Sequence, residues 1–403
     1  MSAAAPADAR PLARALGAAT FGLALGALLL ARRGPSAAVP PPAMRRRLPS
    51  APDNTGQGHT GRDRALPTGT IGRSDLGTDT AGNDRATSAL QARRLYQAAA
   101  LLAASVLSDS ALEHYRGNFE NPGMFTPLAS AAVVLACALR GAGRDAGTAI
   151  RAHGSARARA RASAHARVHA QRTDWTDDAR LATTPRYATT RPAGPDATVP
   201  YATACAVGAA GLGFHAYNVL RRPGGLSWAN LFYAAPLGAP AALLLAGVIG
   251  LAARPVAAGA PTLAGLPSGR ALCGLAAFGL AGTSAEAALL HFRGAFQHPA
   301  MWVPVTVPPV TAVMLAGAAL PGAPGPRRLT HALLKACTWL GMLGMGFHAR
   351  GIARQMGGWR NWSQNVLAGP PLPAPPSFSA LALAGRAALA LRAAQAGPQR
   401  EAA

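Results

Sequence analysis

Two stretches of the sequence place a histidine, an arginine and an acid at the same spacing. "HYRGNFENPGMFTP" (114–127) and "HFRGAFQHPAMWVP" (291–304) share seven of fourteen residues in one ungapped register. In each stretch an arginine follows the histidine by two residues, and an acid precedes the histidine by five. Ionisable residues beside apolar runs are costly in a membrane and are therefore candidates for function. The candidate polar site consists of Asp109, His114, Arg116, Glu286, His291 and Arg293.

The spacing within this site favours two interpretations. On a helix each acid lies roughly 7 Å deeper than its histidine, and it shares a face with its arginine if the helix continues that far. One interpretation is a polar clamp, in which the arginine neutralises the acid and the histidine anchors the helix end. The other is a titratable path, in which Asp109, Glu286 and the histidines carry protons.

Two further histidines occupy a second repeated sequence. "GFHA" occurs at 213–216 and again at 346–349. Haem b requires axial histidines from facing helices, so four histidines near helix ends are candidate haem or metal ligands. They are His114, His215, His291 and His348. The four cysteines form no CxxC, no CxxCH and no zinc-binding spacing, so haem b is the one cofactor hypothesis that the sequence offers.

Long apolar runs recur along the chain from residue 95 to residue 391. A membrane helix needs about 20 mostly apolar residues. The runs of this kind are Leu95–Leu112, Met124–Leu139, Tyr201–Leu220, Leu231–Ala253, Ala271–Leu290, Met301–Leu320, Ala332–Phe347 and Phe378–Leu391. They lack the alternation of a membrane barrel, and only helices and closed barrels satisfy the backbone in lipid. We therefore expect an all-α, polytopic membrane bundle with about eight core transmembrane helices.

The repeats predict a tandem duplication of a four-helix unit made of two hairpins. The polar stretches are offset by 177 residues and the GFHA sequences by 133, so the long linker 141–199 accounts for the difference. "NLFYAAPLGAP" (230–240) then matches "NVLAGPPLPAP" (365–375) at five of eleven positions. The predicted units are hairpin A (93–140), hairpin B (200–254), hairpin C (268–321, the repeat of A) and hairpin D (327–392, the repeat of B).

The remaining segments are predicted to be mostly disordered. Residues 32–92 and the basic loop 141–199 lack apolar periodicity, and 393–403 form a tail. Segment 1–31 contains the apolar run Leu16–Ala31, which two arginines follow. We interpret it as an extra N-terminal transmembrane helix or signal anchor in preference to a cleaved signal peptide; a translation start at Met44 is a third alternative.

Charge predicts the orientation. The chain carries a formal net charge of +23, but its arginines cluster beside the apolar runs, so nucleic acid is not the expected partner. The connections between hairpins hold fifteen Arg and Lys residues and the hairpin turns hold seven. By the positive-inside rule we expect a multi-pass protein of a bacterial inner membrane, with cytoplasmic connections and periplasmic turns.

The sequence names no reaction. Nucleophile-elbow, P-loop, zincin and dinucleotide-binding motifs are absent in the required context, so an enzyme is not the favoured class. Besides the lipid bilayer, the alternatives are a haem b redox protein, a proton-coupled transporter or channel, and an accessory protein. The last would dock a periplasmic or membrane protein partner through tryptophans in its turns, which are Trp228, Trp302, Trp359 and Trp362.

Overall fold

The structure, a computed structural model, describes residues 75–144, 197–233, 236–323 and 328–396. The apolar run Leu16–Ala31, most of the basic loop and the last residues of the tail lie outside the described residues. The described part is predominantly helical, with one two-stranded antiparallel hairpin. The sequence-based expectation of an all-α chain is confirmed at this level.

The elements follow one another with short connections. In chain order they are α1 (Asp75–Arg116), α2 (126–144), α3 (Thr198–Leu220), α4 (Trp228–Tyr233), α5 (Gly238–Ala257), β1 (Thr262–Leu263), β2 (Leu266–Pro267), α6 (Ser268–Arg293), α7 (Val307–Ala319), α8 (Arg328–Ala353), α9 (Trp362–Ala368) and α10 (Pro376–Ala396). Short 3₁₀ turns precede α2, α7 and α9, at Pro122–Phe125, Pro299–Val305 and Gly358–Asn361.

Five helical segments of the described chain are long and apolar enough to cross a membrane. They are Ala86–Arg116, Pro122–Arg144, Gly238–Ala257, Ser268–Arg293 and Pro299–Ala319. Helices α3, α8 and α10 are not among them, although they lie on the three other predicted runs. The prediction is therefore confirmed in its coarser form, a helical chain with several helices of membrane-crossing character.

Three boundaries differ from those expected. Helix α1 begins at Asp75, inside the range predicted to be disordered, and α10 continues to Ala396, inside the predicted tail. At 86–92 the chain is rich in good helix formers, and Ala92 is fully buried, so packing extends the helix. The apolar run Leu231–Ala253 is interrupted by Pro236 and divides into α4 and α5.

The core is a ring of four helices, α1, α5, α6 and α10. Helix α1 packs on α5 and α10, and α6 packs on the same two helices, so α1 and α6 lie across the ring from each other. Three outer helices pack against the ring: α3 contacts α5, α8 contacts α10 and α7 contacts α6. A fourth outer helix, α2, lies against α1, where Gly141 faces the aromatic side chain of Tyr96.

Small residues permit this close approach. A Cβ added to Gly208 of α3 would come within 2.5 Å of the backbone nitrogen of Leu244 in α5. The same holds for Gly269 of α6 and the backbone nitrogen of Arg392 in α10, also 2.5 Å away. Helices in lipid associate through van der Waals packing of this kind, because lipid tails are as apolar as leucine. The missing side chains of these glycines therefore allow α3 to approach α5, and α6 to approach α10, this closely.

Candidate functional site

His114 and His291 each fasten the end of one helix to the start of the next. Nδ1 of His114 donates to the carbonyl of Met124 at 2.6 Å, and Nδ1 of His291 donates to the carbonyl of Met301 at 2.8 Å. A carbonyl oxygen only accepts, so in the neutral ring Nδ1 carries the proton and Nε2 keeps its lone pair. Part of the predicted clamp is therefore present, with a backbone carbonyl as the partner.

The two turns that follow these histidines have the same backbone shape. The left-handed pair Asn118 and Phe119 (φ 53° and 48°) corresponds to Ala295 and Phe296 (φ 52° and 48°). Each histidine ring meets the following phenylalanine edge-on, with ring centroids 6.1 Å apart in both turns. Non-glycine residues rarely adopt a positive φ, and here the histidine hydrogen bond and the ring contact accompany it in both turns.

His215 and His348 make the corresponding contact one hairpin later. Nδ1 of His215 donates to the carbonyl of Pro236, and Nδ1 of His348 donates to the carbonyl of Pro371 at 2.7 Å. Both carbonyls lie in the breaks that lead into α5 and α10. All four histidines are half-buried and stand near the carboxyl ends of α1, α3, α6 and α8.

Two asparagines hold the longer turns and were not singled out from the sequence. Nδ2 of Asn230 donates to the carbonyls of Pro223 and Gly225, at 3.0 and 2.8 Å. Nδ2 of Asn365 donates to the carbonyls of Met356 and Gly358, at 3.1 and 2.8 Å. Asn230 and Asn365 are the first matched position of the repeated eleven-residue sequence, and this identity was the available signal.

The histidines form two spatial pairs. His114 and His215 lie close enough to interact electrostatically, and so do His291 and His348. Within the described residues none of their Nε2 atoms has a hydrogen-bond partner. In all four rings Nδ1 is therefore engaged with a backbone carbonyl, and no described residue bonds Nε2.

Glu286 caps the start of α5. Its Oε1 accepts a hydrogen bond from the backbone N–H of Gly238 at 3.0 Å, and Gly238 is the first residue of the helix. The carboxylate occupies the space that a Cβ of Gly238 would need, so any side chain at this position collides with it. A carboxylate at a helix amino terminus is stabilised by the unpaired N–H groups and the helix dipole.

Asp109 occupies the corresponding position on α1 in a different setting. Among the described residues it has neither a hydrogen-bond nor an ion-pair partner, although it interacts electrostatically with Glu286 and Glu113. Helices α1 and α6 lie on opposite sides of the ring, so this electrostatic interaction crosses the ring. The structure thus brings together two of the candidate site residues that the sequence separates by 177 positions.

The arginines turn away from these acids. Nη1 of Arg116 pairs with Glu113 at 2.7 Å, and both side chains are substantially exposed. Nη1 of Arg293 donates to the carbonyl of Phe232 at 3.0 Å, and the guanidinium lies 5.0 Å from the ring centroid of Tyr233. Helices α1 and α6 end at these arginines, so their side chains leave the shared face that a longer helix would give them. Arginine therefore does not neutralise the acid in this structure.

The described residues contain neither a metal-binding cluster nor a disulfide. No group of three or more His, Cys, Asp and Glu side chains in that part of the chain could hold a metal ion. The four cysteines are free, and three of them are buried. A shallow hollow beside Arg116 contains none of the four histidines; its other lining residues are Tyr115, Ser363, Gln364, Leu367 and Ala368.

Comparison of the chain with protein-family models, with curated proteins and with solved structures found no match in any of the three. What the chain does is therefore inferred from its own residues and contacts.

Proposed function

We propose that the chain is an integral protein of a bacterial inner membrane that conducts or couples to protons, with Asp109 and Glu286 as its proton-binding pair. One observation carries this proposal. Asp109 of α1 interacts electrostatically with Glu286 of α6 across the central ring, and neither acid forms an ion pair within the described residues. An ionisable residue within a membrane helix is energetically costly. Such residues are therefore candidates for a function such as proton transfer.

The finer architecture belongs to the same proposal: two four-helix units, A–B and C–D, related by duplication. Three matched sets of contacts support it, namely the histidine–carbonyl bonds, the left-handed turns and the asparagine-held turns. The packing of the ring supports it as well, because α1 on α5 corresponds to α6 on α10. The proposed duplication places Asp109 and Glu286 at equivalent positions beside the axis that relates the units.

The orientation follows from the charges. The connections between hairpins hold fifteen Arg and Lys residues, against seven in the hairpin turns. We place the connections in the cytoplasm and the turns in the periplasm. In this orientation the four histidines lie towards the periplasmic ends of their helices, and the two acids lie deeper.

The two carboxyl groups differ in what stabilises them. Glu286 accepts a hydrogen bond from the Gly238 N–H at the amino terminus of α5. Asp109 has no hydrogen-bond donor among the described residues. The proposed proton-binding pair is therefore asymmetric.

A route from this pair to the periplasmic surface runs along α1. Glu113 lies one turn beyond Asp109, and it is followed directly by His114. The ion pair between Glu113 and Arg116 stands at the exposed end of this route.

Proton flux into liposomes tests the proposal. The full chain is reconstituted with an internal pH-sensitive dye, and a membrane potential is imposed with potassium and valinomycin. We expect flux well above empty liposomes for the wild type and at least about a tenfold loss for Asp109→Asn, because proton-transfer groups contribute about 10²-fold or more. Glu286→Gln is the second variant, since its amide oxygen still accepts from Gly238.

Glu120→Gln is the matched control, because Glu120 is an exposed acid in the turn. We expect it to leave the flux unchanged. A wild-type flux equal to that of empty liposomes, or a double variant of Asp109 and Glu286 that conducts like the wild type, would overturn the proposal.

A further inference from the structure

Helix α6 is joined to the start of α5 by an acid. Oε1 of Glu286 accepts the backbone N–H of Gly238, the first residue of α5, at 3.0 Å. The residue one turn earlier on α6 is Gly282, where an added Cβ would meet nothing within 4 Å. Because Gly282 has no side chain to offer, Glu286 supplies this contact from its own turn of the helix.

Helix α1 makes the matching contact with the chain that leads into α10, but through a serine. The buried hydroxyl of Ser105 donates to the carbonyl of Pro373, and its Oγ lies 3.2 Å from Oγ of Ser377 in α10. Pro373 corresponds to Gly238 in the repeated eleven-residue sequence, and Ser105 corresponds to Gly282 at the offset of 177 residues. The same aligned position is therefore bonded in both places, by side chains one helical turn apart.

Proline at this position removes the donor that an acid on α1 would need. Pro373 has no backbone N–H, whereas Gly238 gives its N–H to Glu286. Asp109 corresponds to Glu286, but its side chain is one methylene shorter, and it has no hydrogen-bond donor among the described residues. Since Ser105 makes the contact with Pro373, the attachment of α1 at this point does not use the Asp109 carboxyl group.

A carboxyl group that passes protons between two sides of a membrane must be able to change its hydrogen-bond partners. The bond from the Gly238 N–H to Glu286 opposes such a change, because a buried N–H that loses its acceptor is costly. Asp109 carries no such restraint within the described residues.

We propose that Asp109 takes up and releases the proton of the acid pair, an inference that rests on the proposed proton function, and that Glu286 is a positioning residue held on the Gly238 N–H. Pro373 and Ser105 produce this division, since the first withholds the donor and the second makes the helix contact. The step is a proton transfer alone. An O–H bond forms on Asp109 with a proton from one side of the membrane, and it breaks when the proton leaves to the other side.

Chemical labelling tests the assignment without a measurement of flux. Dicyclohexylcarbodiimide enters membranes and adds to a carboxyl group that carries a proton: the proton moves to a carbodiimide nitrogen and the carboxyl oxygen bonds to the central carbon. The adduct then rearranges to a stable N-acylurea. The full chain is labelled in liposomes, digested and analysed by mass spectrometry. We expect the adduct on Asp109 and at least about fivefold less on Glu286, whose oxygen is held by the Gly238 N–H.

Two substitutions rebuild the Glu286 contact on α1. Asp109→Glu lengthens the acid, and Pro373→Gly restores an N–H at the aligned position. In the Asp109→Glu background, Pro373→Gly should lower both the proton flux and the labelling at position 109 by at least about fivefold, because the carboxylate gains a fixed donor. With the native Asp109 the same change should have a smaller effect, since the acid is one methylene shorter. This comparison separates the new bond from the backbone freedom that glycine brings.

The outcomes are distinct. An adduct on Asp109 that Pro373→Gly suppresses mainly in the Asp109→Glu background supports the proposal. Equal labelling of Asp109 and Glu286 in the wild type overturns it, and so does an equal loss from Pro373→Gly in both backgrounds. A wild type without proton flux that is still labelled selectively at Asp109 would refute the proton function and support Asp109 as the unrestrained carboxyl group. The wild-type labelling requires no substitution, so it decides the matter even where a variant fails to fold.

Discussion

Replacing Gly238 by alanine tests the contact between Glu286 and α5. The Glu286 carboxylate fills the space of the missing Cβ and accepts the Gly238 N–H at 3.0 Å. An added methyl group therefore displaces the carboxylate and breaks this bond. The prediction is that Gly238→Ala lowers the free energy of unfolding.

The magnitude follows from three effects. Overpacking in a filled site costs about 1–3 kcal/mol. Leaving the Gly238 N–H without its acceptor costs about 1–3 kcal/mol more. Alanine in place of glycine within a helix returns up to about 1 kcal/mol. We expect a net destabilisation of about 2–4 kcal/mol.

Reversible unfolding in mixed detergent measures this loss. Gly282→Ala is the matched control, because Gly282 lies on the same helix as Glu286 and an added Cβ there meets nothing within 4 Å. We expect the control to be neutral or slightly stabilising. Gly238→Ala is also made in a Glu286→Ala background, where the obstructing carboxylate is gone.

Two results would refute the reasoning. One is a Gly238→Ala protein as stable as the wild type. The other is the same destabilisation with and without the Glu286 carboxylate, which would show that the loss comes from the backbone of α5 and not from the contact. A double-mutant cycle of this kind isolates the pairwise energy between neighbouring residues.

Three further predictions address the other contacts and the orientation. His291→Ala should lower the free energy of unfolding by about 0.5–1.5 kcal/mol through loss of the bond to Met301, and His291→Asn should recover most of it, as measured by thermal unfolding. Asn365→Asp should cost about 1–3 kcal/mol in denaturant unfolding, because it removes both hydrogen bonds to turn carbonyls. In a chain without its native cysteines, Ser363→Cys should react with a membrane-impermeant maleimide in intact cells, and Ser155→Cys should react only after lysis.

Each of these predictions has a contradicting result. Equal stability of the alanine and asparagine variants at position 291 would show that the bond to Met301 contributes nothing. A stable Asn365→Asp protein would show that solvent replaces the lost donors. Labelling of Ser155→Cys and not of Ser363→Cys in intact cells would reverse the orientation.

Much of the local structure could be predicted from residue order. Helical class follows from the length and composition of the apolar runs, and five of the eight predicted runs match segments that meet the requirements of a membrane span. The repeated polar stretches were recognised as equivalent, and their turns adopt the same backbone angles. These features depend on neighbours within a few residues, so a single sequence contains the information for them.

The hydrogen-bond partners of individual polar side chains could not be predicted from the sequence. A shared helix face predicted that Arg116 would neutralise Asp109, but α1 ends at Arg116 and the guanidinium pairs with Glu113. Asn230 and Asn365 were overlooked because their partners are backbone carbonyls, which have no identity in a sequence. Where a helix ends depends on capping contacts. The same contacts determine which backbone carbonyls remain available as acceptors.

The sequence by itself determined that the chain is helical, that several of its helices suit a membrane, and that two polar stretches correspond. Only the tertiary structure decided that Asp109 interacts electrostatically with Glu286, and that Glu286 accepts a hydrogen bond from the Gly238 N–H. Propensity and hydropathy are local properties, so they choose the type of each element. Contacts between helices depend on how closely the helices pack, and glycines such as Gly208 and Gly269 allow close packing against partners far away in the chain.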